Sequence, residues 1–191
     1  GANDDEVKEL YALRFREVEK KEIAYSPDAP HKGPSDAPVK IAEYFDFGCP
    51  ACKMMKEPLD AAMLGYETEV ALYFKQFPLA SHVDSGPAAQ AALAAHKQGK
   101  YMEFHDLLFS DQHNHKADTL RKYAQQLGLD MTKFEADFTA AKALVEVDKA
   151  EGVKLGVQGT PAVYINGIPY EGPSHPKYMK MWIDEALAGA R

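Results

Sequence analysis

The chain's only two cysteines, Cys49 and Cys52, are separated by just Pro50 and Ala51. A bridge between them closes too short a loop to stabilise a fold through chain entropy, because that gain grows with loop length. Such a pair is there for its reactivity, and the residues around it say what structure it needs. Residues 39–45, Val-Lys-Ile-Ala-Glu-Tyr-Phe, are β-branched and aromatic enough to form a strand. Asp46-Phe47-Gly48 turns the chain, and 53–64 has helix-forming composition. Pro50 suits a first helical turn, where its missing N–H costs nothing, whereas Pro58 well inside predicts a kink. The cysteines therefore sit where a strand hands over to a helix.

A second strand follows at 69–77, stopped by Pro78. Strand, helix, strand is a βαβ unit, and the right-handed crossover rule makes the two strands parallel. Upstream, residues 4–22 carry Val7, Leu10, Tyr11, Phe15 and Val18 at three-and-four spacing, one amphipathic helix. Its two plausible uses are docking on its own domain, the default, and pairing with another protomer. The Pro-rich stretch 25–38 reads as an extended linker. Helical patterns occupy 87–98, 101–109, 119–127 and 131–147, with breaks at Gly99, 111–117 and Gly128. They form a helical block set between strands. Gly159-Thr160-Pro161 then leads into the run 162–166, and Asn166-Gly167 before Ile168-Pro169-Tyr170 signals a hairpin. A helix at 178–187 closes the chain.

The strand-to-helix position gives Cys49 its chemistry. Its sulfur can lie near unpaired N–H groups at the positive end of a helix dipole, which favours thiolate over thiol. Cys52 is one turn further on, near enough to attack a mixed disulfide at Cys49. A zinc half-site would need two further ligands, and the sequence holds no second C-x-x-C. Two inert thiols are the other bland reading, which the strand-turn-helix setting opposes. His113 and His115 in a polar loop read as solvated histidines rather than a metal site. Met54, Met55 and Met63 read as core filling ahead of a soft peptide-binding surface.

Charge narrows the partners. With 22 Lys+Arg against 29 Asp+Glu the net charge is −7, and no dense basic run works against that field, so nucleic acid is not an expected partner. No apolar stretch approaches the roughly 20 residues a membrane span needs. The amino-terminal residues 1–6 have neither a basic segment nor an apolar signal core, which fits a cytosolic chain or an exported one in its mature form.

The run Phe45-Asp46-Phe47-Gly48-Cys49-Pro50-Ala51-Cys52, the helical insertion, and Gly159-Thr160-Pro161 about a hundred residues later together resemble the DsbA-type thioredoxin-fold thiol–disulfide oxidoreductases. Gly33-Pro34-Ser35-Asp36-Ala37-Pro38-Val39 is similar to that family's entry into its first core strand, so the resemblance spans residues 33 to 187. It implies an α/β thioredoxin fold with an inserted helical subdomain. The expected organisation is an amino-terminal helix and linker over 1–38, thioredoxin parts over 39–85 and 153–191, and the insertion over 86–152.

The resemblance also implies roles. Cys49 is the attacking and attacked sulfur and Cys52 resolves. Pro161 is a cis proline facing them, and Thr160 supplies backbone contacts to a bound peptide. Glu43, six residues before Cys49, takes the place of a buried acid that tunes the pair, with the alternative that it is a solvent-facing strand acid; Lys75 is a candidate partner for it. Pro50 and Ala51 tune the pair by offering no cationic or hydrogen-bonding side chain. The implied function is oxidation of cysteines in exported proteins, outside the cytoplasm. No metal or other cofactor is expected, because the Cys49–Cys52 disulfide carries the redox equivalent. Expected partners are reduced or unfolded proteins and a membrane protein that resets the disulfide, with the chain itself a monomer. A Cys49 pKa below the free value of about 8.5 and a disulfide more oxidising than thioredoxin, about −270 mV, are expected. The alternatives are a disulfide isomerase or reductase on the same fold, or a non-enzymatic binding or chaperone module.

Overall fold

The computed structural model describes residues 3–190. In chain order the elements are α1 (Asp4–Glu17), β1 (His31–Lys32), β2 (Val39–Phe45), α2 (Pro50–Met63), β3 (Val70–Gln76), α3 (Ser85–Lys97), α4 (Tyr101–Ser110), α5 (Ala117–Gln126), α6 (Met131–Leu155), β4 (Ala162–Ile165), β5 (Ile168–Pro169) and α7 (Pro176–Ala190). The strands form one sheet in the order β1-β3-β2-β4-β5. Val39 N–H donates to Glu69 O at one end of the central pair and Phe77 N–H to Phe45 O at the other, which makes β2 and β3 parallel. This is a mixed α/β fold with the helical block α3–α6 inserted between β3 and β4. β2 is buried along nearly its whole length and β3 throughout, on both faces, as expected of central strands in such a sheet.

The chain divides into two compact units. The first comprises residues up to Glu43, Met54–Phe74 and everything from Ala162. Here α1 docks on α7, the default expected for it: Tyr11 packs edge-on against Tyr178 and Trp182 at 5.8 and 6.1 Å, and Phe15 against Trp182 at 5.7 Å. Asn3 caps α1 in a reciprocal capping box with Glu6. The helix is shorter than the expected 4–22. Val18 is already extended, and the chain beyond it lies on the β4–β5 hairpin, with Lys21 N–H donating to Gly167 O at 2.8 Å. That contact overrides the local helix propensity of the charged run 19–22. The linker is also more ordered than expected, since His31 and Lys32 pair antiparallel with Tyr73 and Leu72.

The second unit comprises Tyr44–Lys53 and Lys75–Pro161. The Ala-rich α3 is its central helix, buried from Ala88 to Ala95 except at Gln90. Phe104 of α4 stacks on Phe134 of α6 at 6.0 Å beneath Tyr123 of α5. α6 runs eight residues past the expected end at 147, through Gly152 to Gly156. Gly152 is no breaker: a Cβ there would stand 2.7 Å from the Phe77 ring and 3.1 Å from Tyr44, so only glycine lets the helix pass this close. Pro58 lies inside an uninterrupted α2.

Candidate active site

Cys49 closes the turn after β2 and caps α2. Its N–H donates to Asp46 O at 3.1 Å, and its carbonyl accepts the first helical bonds, from Cys52 N at 3.1 Å and Lys53 N at 3.2 Å. Its thiol donates to Thr160 O at 3.5 Å, so the two motifs that lie far apart in sequence meet at the Cys49 sulfur. The Thr160–Pro161 peptide bond is cis. Cys49 is 7% exposed and Cys52 1%, while Pro50 and Ala51 stand outside them. Both cysteines are free thiols. Cys52 Sγ accepts the Asp46 N–H at 3.5 Å. Burial pushes the Cys52 thiol well up, with the Thr160 hydroxyl and the Asp46 amide pulling the other way.

Asp46, which the sequence marks only as part of the turn, organises it. Its buried carboxylate accepts Gly48 N–H and Ser85 O–H on Oδ1 and Leu79 N–H on Oδ2, each at 2.6 Å. His82 Nδ1 lies 3.2 Å from Oδ2, outside hydrogen-bonding alignment. The turn fits this tightly only because residue 48 is glycine: a Cβ would meet Ser85 Oγ at 2.8 Å and Asp46 Oδ1 at 3.2 Å. The Asp46–Gly48 bond is a local Asx turn, a pattern legible in Asp-Phe-Gly. A second missed residue, Gln112, reaches in from the loop between α4 and α5 and donates to Phe47 O at 2.8 Å and Cys49 O at 2.9 Å. No sequence signal marks it.

Glu43 is buried on β2, 5% exposed, and so is not a solvent-facing acid. Desolvation pushes its pKa up to about 8, Asp60 adds to the rise, and Lys32 opposes it. Lys32 itself is ion-paired with Asp60 at 2.7 Å. Lys75, the candidate partner of Glu43, pairs with Glu151 at 3.0 Å, and Glu151 also accepts the Tyr44 hydroxyl at 2.5 Å. Nearby Asp148 is pushed up to about 6 by burial. His113 is exposed, but His115 is buried rather than solvated, its Nε2–H donating to Leu108 O at 2.8 Å. The methionines divide: Met55 is buried, Met63 half-buried, and Met54 75% exposed.

A strand-turn-helix dithiol with a cis-proline loop against its first sulfur, on a mixed sheet with a helical insertion, defines a protein of the thioredoxin-like class. The family model described as thioredoxin matches residues 25–185, and the chain belongs to this family. It is 33% identical over 175 residues to a protein named as a Na(+)/H(+) antiporter NhaA 3 in Salinispora tropica, covering 88% of this chain and 26% of that protein. The chain thus spans about a quarter of the curated relatives it matches. A thioredoxin-like oxidoreductase from Silicibacter pomeroyi superposes with a TM-score of 0.73 at 27% identity, covering 98% of this chain and 99% of the other. Oxidised BdbD from Bacillus subtilis gives the same TM-score at 23% identity, over 90% of this chain and all of that one. No helix among the described residues is long and apolar enough to cross a membrane.

Proposed function

We propose that this chain is a thiol–disulfide oxidoreductase that oxidises cysteine pairs in polypeptides. The observation that carries this reading is the 3.5 Å contact between Cys49 Sγ, at the cap of α2, and the Thr160 carbonyl of the cis-proline loop. In the oxidised protein a substrate thiolate attacks Cys49 Sγ. The Cys49–Cys52 bond breaks and its electron pair leaves on Cys52, which takes up a proton; the upward pull of burial on that thiol favours this outcome. A second substrate thiolate then attacks the substrate sulfur of the mixed disulfide, and Cys49 departs as thiolate. Two substrate thiols become a disulfide, and the protein disulfide becomes a dithiol.

Within this reading Cys49 is the exchanging sulfur, Cys52 the resolving one, and Thr160 with Pro161 receives the substrate backbone. Pro50 and Ala51 leave the sulfurs without a neighbouring cation from within the motif. Glu43 is the tuning acid: with its pKa near 8 it is mostly protonated at neutral pH, the form that does not oppose a thiolate. The Cys49–Cys52 pair is the only redox group the reaction requires. The substrates are reduced or unfolded proteins outside the cytoplasm, and a membrane protein that accepts electrons resets the disulfide. Equilibration with glutathione buffers tests the reading. A Cys49–Cys52 disulfide with a potential above about −270 mV that oxidises a reduced dithiol peptide supports it, and a potential at or below that value refutes the oxidising direction.

A further inference from the structure

We infer that Gln112 is a positioning residue for the redox cysteine, gripping the backbone on both sides of Gly48 and thereby biasing the dithiol–disulfide balance from the inserted helical block. This rests on the function proposed above. The Phe47–Gly48 peptide unit is held at both ends: its carbonyl accepts from Gln112 Nε2 at 2.8 Å, and its N–H donates to Asp46 Oδ1 at 2.6 Å. The same Gln112 nitrogen donates to the Cys49 carbonyl at 2.9 Å, which commits both of its hydrogens. The nitrogen of that second peptide belongs to Pro50 and carries no N–H, so the unit can be held only through its carbonyl. Gln112 is the side chain that shares this carbonyl with the two helical donors Cys52 N and Lys53 N.

The loop that presents Gln112 is itself pinned. Asp111 Oδ1 accepts His113 N–H at 3.2 Å, Asn114 Oδ1 accepts the Thr119 hydroxyl at 2.9 Å, and His115 is anchored on Leu108 O. A donor held by a fixed loop is preorganised, so its effect does not depend on its own ordering. Two N–H dipoles aimed at the carbonyls beside Cys49 offset the negative potential that those oxygens present to the sulfur. This favours the thiolate, and with it the reduced protein, and so makes the disulfide more oxidising. A carboxylate at the same place would accept rather than donate and would add a negative charge.

The test compares the wild-type chain with Q112E, which is isosteric but loses the donors, and Q112L, which loses them without adding charge. Each is equilibrated with glutathione, and Cys49 alkylation by iodoacetamide is followed across pH. We expect the equilibrium constant for oxidising glutathione to fall about tenfold in Q112E, or about 30 mV, and about threefold in Q112L. The alkylation profile should move to higher pH in the same order. Constants within twofold of wild type in both variants, with thermal stability falling equally in the oxidised and reduced proteins, would mean that Gln112 only braces the fold and would overturn the inference. If Q112E does not fold, Q112L decides alone by the same criterion. Failure of the wild-type chain to exchange with glutathione would instead overturn the proposed function.

Discussion

Replacing Glu43 with glutamine should remove a pH dependence of stability that the wild-type fold carries near neutrality. Burial raises the Glu43 pKa from 4.5 to about 8. Between those values the native chain holds a proton that the unfolded chain has released, so stability falls as pH rises, at about 1.4 kcal/mol per pH unit, and levels off above pH 8. The other raised groups leave a clear window. Asp148 rises from 3.8 to about 6, so its effect lies below pH 6, and Cys52, raised from 9.0, acts only in the alkaline range. From pH 6 to 7.5 the wild type should therefore lose about 2 kcal/mol, a large part of a typical domain's ~5–15 kcal/mol. Glu43→Gln should be nearly flat over the same interval. Urea titrations of the reduced proteins at half-unit pH steps, followed by Trp182 emission, measure both slopes. A flat wild-type profile, or the same slope in both proteins, refutes the assignment of a buried protonated acid at Glu43.

Three further outcomes follow from the geometry. Gly48→Ala forces a methyl group against Ser85 Oγ and Asp46 Oδ1 and should cost about 1–3 kcal/mol, read as a lowered urea midpoint with an unchanged slope. Cys52→Ser should accumulate mixed disulfides with an unfolded substrate protein that still carries its disulfides. Cys49 attacks a substrate disulfide, the other substrate sulfur leaves as thiolate, and no Cys52 remains to release the substrate, whereas Cys49→Ser should yield none; non-reducing electrophoresis separates the two. Phe15→Ala strips an edge contact from Trp182 and should destabilise by about 1–3 kcal/mol, with Trp182 emission in the native state shifting to the red as water gains access.

Much of the scaffold was legible because it rests on local rules. The β2 run Val39–Phe45 coincides with its expected span, since β-branched and aromatic residues bounded by Pro38 and Asp46 leave few other choices. The Asn166-Gly167 turn, with φ of 48° and 80°, joins β4 to β5 as its dipeptide indicates. The errors fall where a distant partner decides. Residues 18–22 leave the helix where Lys21 N–H bonds to Gly167 O of the hairpin, and α6 runs past 147 across Gly152, where the Phe77 ring leaves room for no side chain.

The same division runs through the candidate site. Cys49, Cys52, Thr160 and Pro161 announce themselves because each chemical type is scarce or geometrically constrained in its setting, so two short motifs suffice to mark them. Asp46 and Gln112 belong to common residue types whose importance lies wholly in what they touch. Asp46 was half-visible, since its bond to Gly48 is local, but its bonds to Leu79 and Ser85 join it to chain segments more than thirty residues away. Gln112 was invisible, because it is one polar residue in a polar loop and its two acceptors are backbone carbonyls, which any sequence provides. A motif thus names the sulfurs, while the backbone beside them is fixed by Asp46 just after β2 and by Gln112 from the loop between α4 and α5. On the role inferred for Gln112, change in the inserted helical block retunes the cysteines without touching the Cys-Pro-Ala-Cys sequence.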